Sequence, residues 1–234
     1  MTAFLMKAII MAGGQGTRLQ PFTHTIPKPL LPVGRKPIMQ IIIEQFRDFG
    51  FTDIAITTGY KADLIAAYFQ DGKNFGVNIR YVVEEKQLGT AGGLGKLKEW
   101  LDQPTILING DILTKTDFKK MYQYHLDHNQ SILTIGVKQQ SFPIPFGVAE
   151  LKENKIIQVT EKPTLTFPII AGIYIVSPEI VNYISGNEYL DITDVIKTLI
   201  RDKKEISIYT INKYWKDIGR IDDFDEVLKE NTEW

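Results

Sequence analysis

The amino-acid sequence predicts a single α/β domain, residues 1–234, built on a mixed, mainly parallel sheet flanked by helices. Two observations support this fold class. Short apolar runs alternate with helical patterns through the first half of the chain, which is typical of βαβ units with right-handed crossovers. In addition, 234 residues with 44% hydrophobic side chains are enough to bury one substantial core.

The first half alternates strands and helices. Its first apolar run ends at a pair of glycines, as a buried parallel strand does, and the next helical pattern begins at Pro37 and ends at Gly50. The predicted strands are 8–11, 53–57, 79–83 and 105–108. The predicted helices are 37–49, 62–69 and 90–100, the last with Thr90 as its N-cap.

Beyond about residue 130, turns rather than helices join the strands. The predicted strands are 132–137, 147–151, 155–160, 170–175 and 206–210, with a hairpin turn at Asn154. Amphipathic patterns predict helices over 191–201 and 221–230. His125 and His128 are assigned to a helix as surface or boundary residues. We expect this half to add a substrate-covering lobe to the same sheet.

Composition excludes several classes of protein. With 27 basic and 28 acidic side chains the formal net charge is −1, so nothing favours nucleic acid or an anionic membrane as a partner. The absence of cysteine excludes disulfides, thiolate catalysis and cysteine-ligated zinc. Residues 1–11 lack the apolar run of a signal peptide and no window is apolar enough for a membrane span, so we expect a cytoplasmic protein. The oligomeric state, a homo-oligomer included, stays open.

A glycine-rich loop follows the first predicted strand. Residues 13–19 read Gly-Gly-Gln-Gly-Thr-Arg-Leu, and glycines let backbone N–H groups come close enough to cradle phosphate oxygens. The spacing fits neither a P-loop nor a dinucleotide-binding turn. Further along, three prolines within 27–32 fix the backbone around Lys28 and hold its side chain in a defined direction. Taken alone, either segment is also explained as a rigid surface loop with a solvated cation.

Seven further motifs follow this loop in the chain. They are Pro-Lys-Pro-Leu-Leu-Pro at 27–32, Leu-Gly-Thr-Ala-Gly at 88–92, Asn-Gly-Asp at 109–111, Phe-Gly-Val at 146–148, Glu-Lys-Pro at 161–163, Ala-Gly-Ile-Tyr at 171–174 and Trp-Lys-Asp-Ile-Gly at 215–219. In these motifs the whole chain resembles the sugar-1-phosphate nucleotidyltransferases, in particular the glucosamine-1-phosphate and mannose-1-phosphate guanylyltransferases. The resemblance implies a Rossmann-like, glycosyltransferase-A-like sheet, with residues 1–130 as the nucleotide-binding part and 131–234 as the sugar-binding part.

The resemblance also implies a reaction, the transfer of a nucleotidyl group from a nucleoside triphosphate to a sugar 1-phosphate with release of pyrophosphate. Arg18, Lys28 and Asp111 are the implied catalytic residues, and Asp111 with Asp217 is the implied Mg²⁺ site. Two carboxylates, nucleotide phosphates and waters would complete the octahedron that Mg²⁺ prefers. Asp111 follows the predicted strand 105–108, and open α/β sheets bind ligands at the carboxyl ends of their strands. Taken alone, Asp111 is also explained as a turn cap and Asp217 as a surface acid.

The same resemblance implies two sets of binding residues. The nucleotide set is Ala12, Gly13, Gly14, Gly16, Thr17, Arg18, Lys28, Glu84, Glu85, Gly89 and Thr90. The sugar-phosphate set is Asn109, Gly147, Glu161, Lys162, Ala171 and Gly172. Within the second set, Glu161 is expected to accept hydrogen bonds from sugar hydroxyls and Lys162 to pair with the phosphate of the sugar.

The nucleobase is indicated by Glu84, which stands five residues before Gly89, where relatives that use uracil or thymine commonly have glutamine. A carboxylate only accepts hydrogen bonds and guanine offers two adjacent donors, so we expect GTP. A shift of one residue would exchange Glu84 and Glu85. Ile170 replaces the asparagine of many relatives, which leaves the sugar open between a hexose and a hexosamine. The alternatives are a thymidylyl- or uridylyltransferase acting on glucose 1-phosphate and a non-catalytic subunit that senses nucleotide sugars.

Overall fold

The computed structural model describes residues 6–186, 188–230 and 234, so the first five residues of the stretch tested above for a signal peptide lie outside it. The strands are β1 (Met6–Ala12), β2 (Pro32–Val33), β3 (Lys36–Pro37), β4 (Phe51–Thr58), β5 (Asn78–Val83), β6 (Thr105–Asn109), β7 (Ile112–Thr114), β8 (Leu133–Pro143), β9 (Val148–Lys152), β10 (Lys155–Thr160), β11 (Thr164–Val176), β12 (Ile206–Thr210) and β13 (Trp215–Asp217). The helices are α1 (Ile38–Asp48), α2 (Ala62–Phe69), α3 (Gly89–Gly92), α4 (Phe118–Asp127), α5 (Ile192–Arg201) and α6 (Ile221–Lys229).

Seven strands form the central sheet in the order β12-β8-β11-β6-β1-β4-β5. β1 runs parallel to β4 and β6, β4 runs parallel to β5, and β8 runs parallel to β12. Only β11 is antiparallel to its neighbours β6 and β8 within this sheet. The predicted mixed, mainly parallel sheet is therefore confirmed, and strands from both halves of the chain belong to it.

Helices cover both faces of the sheet. Ile9 and Ile10, which are adjacent on β1 and therefore point to opposite faces, are both fully buried. Phe46 of α1 packs in the cluster on the Ile10 side, and Leu199 of α5 packs in the cluster on the Ile9 side. This burial on both faces explains why β1 reads as a continuous apolar run. None of the described helices has the length and apolarity that a membrane crossing needs.

The helix predicted over 90–100 is wrong. α3 is a single turn with Leu88 rather than Thr90 as its N-cap, and a 3₁₀ turn continues over Gly93–Leu97. Three glycines in this segment weaken a helix by their low propensity. Packing favours glycine here, because a Cβ on Gly95 would lie 2.3 Å from the backbone of Gly186, in a distant segment of the same chain. The glycines thus allow close backbone contact at the expense of helix length.

His125 is a core residue, and its prediction as a surface or boundary residue is wrong. Only 2% of it is exposed. Its Nδ1 lies 2.8 Å from the Thr134 hydroxyl and its Nε2 lies 3.1 Å from the Ser177 hydroxyl. Burial lowers the pKa of His125 to about 4, so the ring is neutral at pH 7. His128 is exposed, as predicted.

β8 and β11 extend well beyond their predicted ends of 137 and 170. Their outer halves pair with each other and continue into the β9-β10 hairpin, and we call this projection, residues 138–170, the arm. Glu153 and Asn154 have φ of 46° and 64° at its tip, which confirms the predicted hairpin turn. Pro143 and Pro168 lie within the extensions, and prolines interrupt a strand pattern, so the sequence prediction stopped short.

Candidate active site

The glycine loop, residues 13–19, leaves the carboxyl end of β1 at the centre of the sheet. Gly16 has φ of 65°, and a Cβ there would lie 3.0 Å from the Thr23 side chain, so glycine is required at this position. The Thr23 hydroxyl donates to the Gly16 carbonyl at 3.0 Å and fixes the turn. A Cβ on Gly14 would meet nothing within 4 Å, so the loop backbone is open there to a ligand.

Two adjoining cavities lie beside this loop. The larger, of about 310 Å³, is lined by Met11, Gly13, Gly14, Thr57, Glu84, Gln87, Leu88, Gly89, Thr90, Asn109, Asp111, Tyr189 and Asp191. The smaller, of about 200 Å³, is lined by Met11, Ala12, Gly14, Gly16, Thr17, Arg18, Lys28, Pro29, Gly110, Asp111 and Gly219. Because Met11, Gly14 and Asp111 line both, we treat them as one cleft. The cleft gathers all of the predicted nucleotide residues except Glu85.

Asp111 and Asp217 are brought together by the pairing of β7 with β13. Asp217 lies opposite Ile112, and the Ile218 N–H donates to the Asp111 carbonyl at 3.0 Å. Asp217 is exposed as a whole, but groups packed around its carboxylate displace water, and this desolvation first and the negative charge of Asp111 second raise its pKa to about 6. Asp111 Oδ1 is buried without a hydrogen-bond partner. A buried, unpaired carboxylate oxygen beside a second carboxylate is an arrangement that a cation would stabilise.

Two cations face this carboxylate pair. Lys28 Nζ lies 2.5 Å from Asp111 Oδ2 and is held in a 3₁₀ turn, Lys28–Leu30, that follows Pro27. Arg18 reaches the other side of the pair, because a Cβ on Gly219 would lie 3.6 Å from Asp217 Oδ1 and 3.8 Å from Arg18 Cζ. The three predicted catalytic residues therefore line one cleft, and Asp217, the second predicted metal ligand, lies beside Asp111 and Arg18 at its edge.

Glu84 and Glu85 are separated by the fold. Glu84 is only 7% exposed, and a Cβ on Gly13 would lie 2.6 Å from its Oε2, so its carboxylate lies against the glycine loop. Burial raises the pKa of Glu84, while the Leu88 N–H and the charge of Lys96 lower it. Glu85 is exposed and lines only a neighbouring groove. Of the two acids, Glu84 is the one that faces the cleft.

Asp191 and Tyr189 line the larger cavity and were missed by the sequence analysis. Asp191 Oδ1 accepts from the Thr90 N–H at 3.1 Å and from its hydroxyl at 3.3 Å, and the Tyr189 hydroxyl donates to Oδ2 at 2.9 Å. These contacts tie the start of α5 to the loop at Gly89, which has φ of 72°. Asp191 was predicted only as a helix start, and nothing in the local sequence points to a partner so distant in the chain.

The predicted sugar-phosphate residues fall into two groups. In the first group, Asn109 lines the larger cavity. Gly172 lies against the Asn109 side chain, since a Cβ on Gly172 would be 2.7 Å from Asn109 Nδ2. Gly172 also has φ of 68° where the register between β8 and β11 shifts. Ala171 is fully buried, and its carbonyl accepts from Trp215 Nε1 at 2.8 Å. Asn109 therefore forms part of the cavity wall, and Ala171 and Gly172 lie next to it on β11, which leads into the arm.

The second group lies on the arm itself. A Cβ on Gly147 would lie 3.0 Å from Glu161 Oε2, and the Lys162 N–H donates to the Phe146 carbonyl at 3.2 Å. Gly147, Glu161 and Lys162 are thus neighbours across the two strands of the arm. All three are exposed, and none lines the two cavities of the cleft. The structure therefore brings the second group together, but apart from the first.

The family model described as nucleotidyl transferase matches residues 7–233. The chain belongs to this family. It is 36% identical over 244 residues to UTP–glucose-1-phosphate uridylyltransferase of Synechocystis sp., covering 96% of this chain and 63% of that protein. It is 33% identical over 229 residues to mannose-1-phosphate guanyltransferase of Aspergillus oryzae, covering 94% and 62%. The chain thus spans slightly less than two thirds of the length of these curated relatives.

A solved structure has the same fold. The crystal structure of a putative glucose-1-phosphate thymidylyltransferase from Bacillus anthracis, in complex with a sucrose, matches with a TM-score of 0.79 and 27% identity. The match covers 98% of this chain and 97% of that one. Both the Rossmann-like sheet and the predicted family are therefore confirmed, and the cleft described above lies in a fold shared with these proteins.

Proposed function

We propose that this chain transfers a nucleotidyl group from a nucleoside triphosphate to a sugar 1-phosphate, giving an NDP-sugar and pyrophosphate. The observation that carries the proposal is the composition of the cleft, in which an open glycine loop, two cations and a pair of carboxylates meet at the carboxyl ends of β1 and β6. The membership of the nucleotidyl transferase family supports it. We propose the cytoplasm as the location, since the reaction needs a supply of nucleoside triphosphate.

In this reaction an oxygen of the sugar phosphate attacks the α-phosphorus of the nucleotide in line. The bond from the α-phosphorus to the bridging oxygen breaks, and pyrophosphate leaves with the electron pair. The attacking phosphate is already anionic at neutral pH, so no general base is needed. Catalysis then consists of alignment and charge neutralisation. The protein supplies groups that hold phosphates rather than groups that move protons.

Each cation has a place in this scheme. The glycine loop would receive the β- and γ-phosphates on backbone N–H groups, and Arg18 would hold the pyrophosphate as it leaves. Lys28 would neutralise the α-phosphate region. In the structure Lys28 Nζ is paired with Asp111 Oδ2, so the lysine would exchange this carboxylate for phosphate oxygens when the nucleotide binds. Its short 3₁₀ turn keeps it within reach of both.

Asp111 and Asp217 fit a divalent cation. Their carboxylates are hard oxygen donors, Asp111 Oδ1 is buried and unpaired, and the raised pKa of Asp217 reflects a repulsion that a cation would relieve. Bound Mg²⁺ would supply charge neutralisation at the phosphates during the transfer. Among the described residues no group of three or more acids or histidines is placed so that it could hold a metal ion by itself, so phosphate and water oxygens would fill the remaining positions.

For the nucleobase we propose guanine, read by Glu84. Its buried carboxylate accepts hydrogen bonds and would pair with the adjacent N1–H and N2–H₂ donors of guanine, whereas uracil and thymine would present a carbonyl oxygen to it. The relatives described above include a uridylyltransferase and a guanyltransferase, so the similarity to them does not indicate which base this chain binds. The position of Glu84 against the glycine loop supports the choice of Glu84 over Glu85.

The sugar phosphate, of a hexose or a hexosamine, would enter between the cleft and the arm. Asn109, with Gly172 against it, lines the cavity on one side. Glu161 and Lys162 on the arm would approach from the other side, the first toward sugar hydroxyls and the second toward the phosphate. Because the second group is exposed and lies apart from the cavities, the substrate itself would bridge the two groups.

A pyrophosphate-release assay tests the proposed function. Four nucleoside triphosphates are combined with the 1-phosphates of glucose, glucosamine, N-acetylglucosamine and mannose in the presence of Mg²⁺. We expect release that requires both substrates and is fastest with GTP. Release with none of the sixteen pairs, together with intact nucleotide binding, would contradict the catalytic proposal and favour a non-catalytic nucleotide-sensing subunit.

A further inference from the structure

The arm carries a large amount of unburied apolar surface. None of its residues, 138–170, is buried, although two pairs of strands run through it. Ten of its large hydrophobic side chains are between 39% and 71% exposed, namely Phe142, Phe146, Val148, Leu151, Ile156, Ile157, Val159, Leu165, Phe167 and Ile170. Surfaces of this kind mark interaction sites, because monomeric proteins rarely expose contiguous apolar patches larger than a few hundred Å².

Most of these apolar side chains are not scattered, because each ribbon of the arm has one mainly apolar face, whereas Val148 and Ile170 lie on the opposite faces. In the β8-β11 ribbon, Phe142 lies opposite Leu165 and within 6.2 Å of the Phe167 ring, while the other face carries Ser141 and Thr166, whose hydroxyls are 2.9 Å apart. This alternation is typical of an antiparallel sheet with one face in water and the other face covered.

The β9-β10 hairpin repeats the pattern. Leu151 lies opposite Ile156 on one face, whereas Glu150 lies opposite Gln158 on the other face. Leu151 is 68% exposed and Ile156 is 66% exposed. A two-stranded hairpin is marginally stable by itself in water, and its apolar face has to be covered by something outside the arm.

We propose that the arm pairs with the arm of a second copy of this chain, apolar face against apolar face. Such a pairing is self-complementary, because a two-fold axis places the same residues of each copy against those of the other. Six of the ten lie on these two faces, namely Phe142, Leu151, Ile156, Val159, Leu165 and Phe167. At roughly 100 Å² of exposed surface for each large side chain, the six present on the order of 600 Å². Two copies would then bury on the order of 1,200 Å² in total, which is the lower end of the range for a specific interface.

The charges of the arm also fit a second copy. Its ionised side chains are four lysines and three glutamates, namely Lys138, Lys152, Lys155, Lys162, Glu150, Glu153 and Glu161. A strongly acidic or strongly basic partner would find no complementary field on so balanced a surface. A second copy brings the same mixture of signs, and the whole chain has a net charge of only −1, so long-range repulsion between copies is small.

Pairing would also affect the sugar-phosphate residues of the arm, a consequence that rests on the proposed function. Gly147, Glu161 and Lys162 lie between the two ribbons and are exposed in the single chain. Covering the ribbons on either side would restrict their motion and hold Lys162 in one position. A dimer is therefore expected to bind the sugar 1-phosphate more tightly than a monomer, with little effect on nucleotide binding.

Sedimentation velocity over a range of protein concentrations tests the pairing. The wild-type protein is expected to sediment as a dimer, with twice the 26.7 kDa mass of one chain. Leu151→Arg, on the apolar face, is expected to give monomers, whereas Gln158→Arg, which adds the same charge on the polar face of the same hairpin, is expected to stay dimeric. Circular dichroism checks that both variants are folded, and Ile156→Arg serves as a second disruptive variant.

A wild-type monomer at about 100 μM, or a dimer that survives both Leu151→Arg and Ile156→Arg, would overturn the pairing. Association that Leu151→Arg and Gln158→Arg disrupt to the same extent would also overturn it, because the interface would then not depend on the apolar face. The KM for the sugar 1-phosphate is expected to rise in the Leu151→Arg and Ile156→Arg variants and to stay unchanged in the Gln158→Arg variant. Because sedimentation does not depend on catalysis, a chain that dimerises but never releases pyrophosphate would contradict the proposed function and leave the pairing supported.

Discussion

Replacing Asp217 by asparagine is expected to stabilise the metal-free protein while it abolishes activity. The carboxylate of Asp217 is held among neighbouring groups beside a second carboxylate, and its pKa rises from 3.8 to about 6. For a fully buried group this rise corresponds to about 3 kcal/mol of destabilisation in the ionised form. Asp217 is exposed at the mouth of the cleft, and solvent screening reduces the effect to about 1 kcal/mol.

The sign of the effect depends on pH. Because the pKa of Asp217 is higher in the folded state than in the unfolded state, the folded protein loses stability as the pH rises from about 4 to about 6, and the loss is constant above that range. Asparagine has no charge to bury. The Asp217→Asn variant is therefore expected to gain about 1 kcal/mol at pH 7.5, or about 2–4 °C in Tm for a chain of this size, and nothing at pH 4.

Thermal unfolding of both proteins in EDTA, at several pH values between 4 and 8, measures this difference. Asp225→Asn, an exposed acid on α6, is the matched control and is expected to change the Tm little. A variant that is less stable than the wild type at pH 7.5, or equally stabilised at pH 4 and pH 7.5, would refute the reasoning. Added Mg²⁺ with nucleotide is expected to stabilise the wild type more than the variant, which reverses their order.

Three further predictions concern other groups. Lys28→Ala is expected to lower kcat/KM by roughly 30- to 1,000-fold, equivalent to about 2–4 kcal/mol of lost charge stabilisation, and near-wild-type pyrophosphate release would remove Lys28 from the mechanism. Glu84→Gln is expected to shift the ratio of kcat/KM values from GTP toward UTP and dTTP, whereas Glu85→Gln leaves the ratio unchanged; equal effects would argue against the role of Glu84. Because His125 is buried with its pKa lowered to about 4, stability is expected to fall by about 2–3 kcal/mol as the pH drops from 6.5 to 4. Urea unfolding of His125→Asn is expected to lose most of this dependence, and an unchanged pH profile would show that other groups cause it.

The sequence predicted the sheet and the position of the cleft because these depend on local patterns. Buried parallel strands read as apolar runs, and the glycine loop and Asp111 follow two such runs directly. Since β1 and β6 are neighbours in the sheet, both motifs lie at the same edge. The family resemblance then added Asp217, whose approach to Asp111 depends on the pairing of β7 with β13 and has no signal in either short strand.

What the sequence did not predict depends on contacts between distant segments. The contact between Asp191 and Thr90 needs the start of α5 to meet a loop from the first half of the chain. The burial of His125 depends on Thr134 and Ser177, which belong to other elements, whereas the local pattern around it is polar. The full length of the arm was hidden by its prolines and by the absence of any buried residue, since hydrophobic patterning predicts strands best where they enter a core.

The central claim is that Asp111 and Asp217 together hold one divalent cation with the nucleotide. Titration of Mn²⁺, followed by electron paramagnetic resonance in the presence of a non-hydrolysable GTP analogue, measures this directly. We predict one tightly bound Mn²⁺ for each wild-type chain, and binding weakened at least about tenfold, or about 1.4 kcal/mol, by either Asp111→Asn or Asp217→Asn. Mn²⁺ binding that survives unchanged in either variant would contradict the account.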